Sequence, residues 1–325
     1  MKKNLALVTG TTSGLGYSAA KQLVQDGWSH VIVTGRSQSG VDEAVNRLKA
    51  ETGTQNFSGI ALDLNSSASV KKALAELVKR GIPVDFLLLN AGMMPGKERV
   101  VTSENIEMSQ APLIGHHQLT TGLLEIGLLA PDARIVIAGA EPARGDVPMF
   151  QFTDLPAFAA KEYKGDRVAA IEAIIRSSLN VKYKNSTAYS DAKIFVAWWV
   201  AALARKLPPG MAVYAVSPGA APDTKAPRNL GFMMKNVFVR LSKFIPGMSH
   251  SVDEGARNYL TASKFGVDVS GKFFCSAPKK MTGPIEIMRQ EHLHDRASQD
   301  ALWQAVVKVS GDPTERTSLR QSTSP

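Results

Sequence analysis

Leu5-Ala6-Leu7-Val8-Thr9-Gly10-Thr11-Thr12-Ser13-Gly14-Leu15-Gly16 decides the fold. Leu5 to Val8 is a short apolar run, as a strand covered on both faces requires. Gly10 permits a tight turn, and Gly14 and Gly16 remove side chains where backbone must approach a phosphate or the sheet. Leu15, Ala19, Leu23 and Val24 then recur at helical spacing. The helix they predict offers unpaired N–H groups and the positive end of its dipole to an anion. A loop with three glycines can also be only a turn. This one sits between a strand and a helix, where the anion-binding mechanism demands it.

Outward from this unit, apolar runs and amphipathic stretches alternate. Strands are predicted at His30–Thr34, Gly59–Leu64, Val84–Gly92, Ala133–Ala140, Met211–Val216 and Gly271–Cys275. Helices are predicted at Val41–Ala50, Ser67–Arg80, Arg167–Leu179, Asp253–Ser263 and Ala301–Val307. The alternation implies one α/β domain over residues 1–310, a doubly wound parallel sheet of about seven strands with a long insertion, 141–188, after the fifth. Residues 311–325 are polar and are expected to be a disordered tail.

Composition narrows the function. The 325 residues are ample for a core, and the formal charge of +9 is spread without a dense basic run, so nucleic acid is not an expected partner. Cys275 is the only cysteine, which excludes an intrachain disulfide and multi-cysteine metal sites. It lies in the apolar run Lys272-Phe273-Phe274-Cys275, which reads as a buried structural thiol, a reactive one being the alternative. No metal site is expected. No apolar signal core and no long apolar run occur, so a cytoplasmic protein is expected.

Four motifs follow one another at the ends of these strands: TGxxxGxG at Thr9–Gly16, Asn90-Ala91-Gly92, Tyr189-Ser190-Asp191-Ala192-Lys193 and Pro218-Gly219. Together they resemble the short-chain dehydrogenase/reductase family over about residues 4–310, most closely its retinol-dehydrogenase-like and protochlorophyllide-reductase-like branches. The resemblance implies a Rossmann-type fold that binds a nicotinamide dinucleotide through Gly10, Thr12, Ser13, Gly14, Leu15, Gly16, Asp63, Leu64, Asn90, Ala91, Gly92, Tyr189, Lys193, Pro218 and Gly219. An ordinary cap or turn is the other reading of Asp63. Arg36 follows the second strand with no acid between His30 and Gly40. An arginine there can pair with the extra phosphate of NADP, so NADP is the expected cofactor, a plain surface arginine being the alternative. Tyr189 and Lys193, at i and i+4, share a helix face. In the family the lysine cation lowers the tyrosine pKa and the tyrosine exchanges a proton with the substrate.

The chain departs from the family twice. The fifth strand ends in Gly139-Ala140 where the family has a pair of serines, the second of which polarises a carbonyl. Losing one such donor typically costs roughly 10²–10³ in rate. Water, Ser186 or Thr187 are the candidate replacements. The helix run Pro112-Leu113-Ile114-Gly115-His116-His117 also lacks the family's asparagine. His116 and His117 read as helix-surface or core residues rather than its replacements. A substrate lid is implied at 225–250. Its Phe232, Met233, Met234 and Phe238 suit a bulky apolar small molecule, with core packing and membrane-surface contact as alternatives. The insertion reads either as a pocket wall or as a surface decoration. The helix from Tyr189 to Leu203 is apolar all round, so a second subunit is one candidate cover for it. The expected activity is NADP-dependent hydride transfer to or from a bulky alcohol, ketone or activated double bond. A non-redox acid/base enzyme with structural NADP and a non-catalytic NADP-binding sensor are the alternatives.

Overall fold

The computed structural model describes residues 2–178, 180–221 and 248–311. Eight strands form one sheet in the order β3-β2-β1-β4-β5-β6-β7-β8. They are β1 Leu5–Val8, β2 His30–Gly35, β3 Phe57–Ala61, β4 Val84–Leu89, β5 Leu129–Ala138, β6 Ala212–Val216, β7 Phe273–Ser276 and β8 Ile285–Ile287. All neighbours are parallel except β7 and β8, which are antiparallel. The three-residue β8 is the strand that sequence reading missed, because Ile285-Glu286-Ile287 is too short to show a period. The order reverses beside β1, where β1 lies between β2 and β4. This switch point opens a crevice at the carboxyl ends of the strands.

The period of two places alternate residues in two cores. Leu5 and Leu7 face one and Ala6 and Val8 the other. The second core is covered by α1 Gly14–Gln25, α2 Gln38–Thr52 and α8 Val252–Ala262. The first is covered by α3 Ser67–Arg80, α4 Ala111–Glu125 and α7 Asn185–Ala204. A further layer on this side comprises α5 Leu155–Glu162 and α6 Arg167–Arg176 from the insertion, and α9 Arg296–Ser310.

That layer explains the apolar helix. Trp198 and Trp199 of α7 are buried, Trp198 Nε1 donates to His292 O at 2.7 Å, and Arg205 just beyond α7 donates to Gln299 Oε1 of α9 at 2.7 Å. The second cover of α7 thus comes from its own chain. Among the described residues the chain itself thus supplies the cover for which the sequence offered a second subunit as one candidate. Of the insertion's helices, α6 packs on α9 and α5 on α6. Cys275 is fully buried, and burial followed by the nearby Glu141 pushes its thiol pKa up, as the structural reading requires.

Outside the described residues lie Phe232, Met233, Met234, Phe238 and most of the expected lid and tail. The backbone on either side of 222–247 is tied together, His250 N donating to Ala220 O at 3.1 Å and Ala220 N to Met281 O at 2.8 Å.

A Cβ on Gly115 of α4 would lie 2.4 Å from Leu64 O. Gly115→Ala is therefore expected to lower stability by about 1–3 kcal/mol, read as the urea unfolding midpoint. Gly96→Ala, where a Cβ meets nothing within 4 Å, is expected to leave that midpoint in place.

Candidate active site

The glycine loop leaves β1 and is held from the side by Asn90. Asn90 Nδ2 donates to Thr9 O at 2.9 Å and to Gly10 O at 3.2 Å. Gly10 has φ +70°, and a Cβ there would lie 2.9 Å from Ala91 Cβ. A Cβ on Gly16 would lie 2.4 Å from both Asn90 Nδ2 and Gly10 O. Ser13 precedes α1 without a side-chain capping bond, and the first turn of α1 carries no acid. The first N–H groups of α1 and its dipole are thus left for an anion between Thr12, Ser13, Gly14 and Leu15.

Arg36 stands exposed at the end of β2. The residue before it, Gly35, packs so closely on Thr12 that a Cβ would lie 2.6 Å from Thr12 Cγ2. Among the described residues Arg36 pairs with no carboxylate. Asp63 makes a local turn, its Oδ1 accepting from Asn65 N at 3.1 Å, and Leu64 is buried. Across the crevice, Pro218 O accepts from His250 Nε2 at 2.6 Å, and Gly219 N donates to Ser217 Oγ at 3.1 Å. Every expected cofactor residue therefore lies at the carboxyl edge of the sheet, around the switch point.

On the other side of the crevice, α7 presents Tyr189 and Lys193. Lys193 Nζ donates to Ala138 O at 2.8 Å and lies 5.7 Å from the centre of the Tyr189 ring. A Cβ on Gly92 would lie 3.8 Å from the same Nζ. Burial pushes the Tyr189 pKa up, and the Glu141 charge adds to the rise. Desolvation sets the direction of this shift, with the Lys193 cation held on Ala138 O. Lys193 is pushed down to about 8 by burial, with Glu141 opposing.

His116 Nε2 is 2.9 Å from Thr9 Oγ1, which also accepts from Ala91 N at 3.0 Å. Burial, then the Lys193 charge, push His116 down to about 3. His117 Nδ1 accepts from Trp199 Nε1 at 3.2 Å. Both histidines are core residues that tie α4 to β1 and α7.

The end of β5, where the sequence reading expects a departure from the family, is closely packed. A Cβ on Gly139 would lie 2.5 Å from Phe273 Cε2, and Ala140 adds only a buried methyl. Glu141 follows, 3% exposed, its Oε1 accepting from Ser217 Oγ at 2.7 Å and Ser276 Oγ at 3.3 Å. The carboxylate joins the ends of β5, β6 and β7, and burial pushes its pKa up. An acid directly after an apolar strand was the sequence signal for it.

Two spaces adjoin Tyr189. A cavity of about 20 Å³ is lined by Ser109, His116, Ala138, Tyr189 and Lys193. An open groove of about 460 Å³ is lined by residues 145–152 of the insertion. Phe150 sets its ring edge to face with Tyr189, centroids 6.0 Å apart, and Met149 is exposed. Thr153 N and Oγ1 donate to the Asp191 carboxylate at 2.8 and 2.7 Å, fixing this loop to α7. The insertion's first part therefore walls the groove beside Tyr189, and its helices cover the core. Among the described residues, no cluster of His, Cys, Asp and Glu could hold a metal, and no helix is long and apolar enough to cross a membrane.

Residues 4–137 match the family model for short chain dehydrogenase. The chain is 26% identical over 324 residues to a chloroplastic protochlorophyllide reductase of Chlamydomonas reinhardtii, covering 95% of this chain and 78% of that protein. It is 34% identical over 136 residues to a polyprenol dehydrogenase of Homo sapiens, an alignment that spans only 41% of either chain. Among solved structures, salutaridine reductase from Papaver somniferum superposes with a TM-score of 0.59 at 20% identity, covering 83% of this chain and 99% of that one. An actinorhodin polyketide ketoreductase solved with NADPH superposes with a TM-score of 0.57 at 21% identity, covering 83% and 94%. The matches support a member of the short-chain dehydrogenase/reductase family, whose model covers residues 4–137.

The lowered Lys193 pKa carries a pH signature. Below about pH 8 both folded and unfolded states hold the proton, and the cost of burying the cation is fully present. Between about 8 and the ordinary value of 10.5 the unfolded chain binds more protons, so this cost is relieved as pH rises. Unfolding in urea at pH 7 and pH 9.5 is expected to show wild type gaining stability relative to Lys193→Met across that interval.

Proposed function

We propose that the chain is an NADP-dependent oxidoreductase acting between NADP(H) and a bulky hydrophobic alcohol, ketone or activated double bond, with Tyr189 as proton donor or acceptor. The observation that carries this reading is the placement of Tyr189 and Lys193 on α7, across the crevice from a glycine loop that ends at an uncapped helix start. The residues fit the cofactor. The α1 N-terminus and Thr12 to Gly16 suit its pyrophosphate, and Arg36 suits a 2′-phosphate. Leu64 and Asp63 suit the adenine, while Asn90 to Gly92, Pro218 and Gly219 suit the nicotinamide end. When bound, the nicotinamide supplies or takes the hydride.

Tyr189, like any tyrosine, holds its proton at neutral pH, and burial and the Glu141 charge push its pKa further up. It therefore enters a reduction as an acid, and Lys193 is the cation that steadies the phenolate left behind. Alcohol–ketone exchange needs a donor in place of Ala140. Ser186, three residues before Tyr189 on the same helix, has a buried Oγ with no partner among the described residues. Reduction of an activated double bond needs that donor less, because Tyr189 then protonates carbon. A bulky apolar substrate is supported by the groove under Phe150 and Met149. The names of two relatives point the same way, protochlorophyllide reductase and polyprenol dehydrogenase.

NADPH consumption with paired bulky ketones and their α,β-unsaturated relatives, followed by product analysis, tests the reading. Turnover of either set is expected; tight NADPH binding with no consumption on both would move weight to a non-redox role. Tyr189→Phe is expected to lower turnover at least 100-fold while leaving the NADPH Kd within about twofold. The phosphate bonds of Arg36 contribute roughly 1.5–3 kcal/mol. Arg36→Ala is accordingly expected to cut the preference for NADPH over NADH by about tenfold or more, read as the ratio of the two Kd values.

A further inference from the structure

The strap from Gly145 to Thr153 grips the start of α7 at two points, and the reaction above gives the second of them no role. Successive helical residues turn by about 100°, so Tyr189 and Asp191 point to nearly opposite sides of α7. Phe150 sets its ring against Tyr189, centroids 6.0 Å apart. Three residues on, Thr153 donates from N and Oγ1 to the two oxygens of Asp191, at 2.8 and 2.7 Å. Near the other end of the strap, Asp146 accepts from Arg144 Nε at 2.9 Å and from Lys279 N at 2.8 Å. Phe152 stacks on His292, centroids 4.6 Å apart. Between these anchors Phe150 N donates to Val147 O at 3.1 Å, and Met149, 57% exposed, has φ +68°. A methionine rarely takes that backbone conformation, and it persists where the surroundings fix both ends of the turn.

Asp191 is a costly way to fasten a loop. It is buried, and burial raises its pKa to about 6, with the two Thr153 bonds opposing. At neutral pH it therefore holds a charge out of water, and both bonds go to one residue of the strap. An apolar contact would fasten a surface loop as firmly. The carboxylate adds direction: two bonds from one residue fix the rotation of the strap about α7 as well as its distance from it.

We propose that Phe150 is a specificity-determining residue for the apolar body of the substrate, and that Asp191 is the positioning residue that holds it there through Thr153. The inference rests on the oxidoreductase reading. The open groove runs along residues 145–152. A substrate whose reacting carbon meets Tyr189 lays the rest of its frame against Phe150 and Met149. A molecule no larger than its reacting group gains little from that wall. The strap is already in place, so the wall needs no ordering when the substrate arrives. Because Asp191 lies two residues from Tyr189 on one helix, any movement of α7 carries Phe150 with it, and the spacing between wall and proton donor is kept.

The test uses the full chain, and its first reading needs no substrate. The six tyrosines are replaced by 3-fluorotyrosine, and the fluorine NMR signal of Tyr189 is assigned as the one lost in Tyr189→Phe. Phe150→Ala is expected to move that signal by removing the ring beside it. Thr153→Val and Asp191→Asn are expected to move it in the same direction, and Thr153→Ser, which keeps both donors, to leave it in place. A Tyr189 signal that ignores Thr153→Val and Asp191→Asn would overturn the positioning role. The second reading compares NADPH-dependent reduction of 2-cyclohexenone with that of a tetracyclic steroid enone carrying the same reacting ring. The ratio of kcat/KM, large substrate over small, is expected to fall about tenfold in Phe150→Ala and about threefold in Thr153→Val, mostly through KM, and no further in the double variant than in Phe150→Ala. Equal losses on both substrates, or additive losses in the double variant, would overturn the inference. A chain whose Tyr189 signal answers to Thr153 but which reduces neither enone counts against the oxidoreductase reading; the specificity role falls with it, while the hold of Asp191 on the strap stands.

Discussion

The side chain of Asn90 is the tie on which the site depends. Its amide reaches from the end of β4 to two successive carbonyls of the glycine loop, at Thr9 and Gly10. A parallel sheet leaves carbonyls unpaired where each strand ends, and buried carbonyls without partners are costly. Asn90 satisfies two at the switch point and sets the height at which α1 begins. The same contact explains why Gly16 has no room for a side chain, since a Cβ would displace this amide. Thr9, Ala91 and His116 continue the tie from β1 through β4 to α4.

The opposite wall follows from burial. Helix α7 is covered by the sheet on one side and by α9 on the other, so Tyr189 and Lys193 are fixed by packing rather than by exposed contacts. That rigidity is bought with desolvation, which moves the two pKa values in opposite directions: the phenol up and the ammonium down. Glu141 stands behind both, opposing the lysine shift and reinforcing the tyrosine shift. It occupies the turn immediately after the strand end at which Phe273 leaves no room for a side chain on Gly139.

Much of this was legible in the chain itself. The Leu5–Val8 run, the glycine spacing and the Tyr189–Lys193 pair each reflect a local requirement, and local requirements leave local patterns. β3 lies earlier than expected, at Phe57–Ala61, because Leu62-Asp63-Leu64 continues the apolar character of the strand after its pairing has ended. The cover of α7 was not legible: an all-round apolar helix states that it is buried, and says nothing of whether the same chain or another buries it. Glu141 was missed although it stands directly after an apolar strand, because the partners that bury it, Ser217 and Ser276, are far away in sequence.

The hydrogen bond from His250 N to Ala220 O closes the mouth of the segment between them. Both anchors belong to the scaffold, one following the Pro218-Gly219 turn and the other lying just ahead of the capped start of α8. A span whose ends are pinned together by the surrounding fold pays its closure cost there, and doubling its length adds only about 0.6 kcal/mol. The sheet and its helices thus fix Ala220 and His250 side by side, whatever the length of chain that joins them.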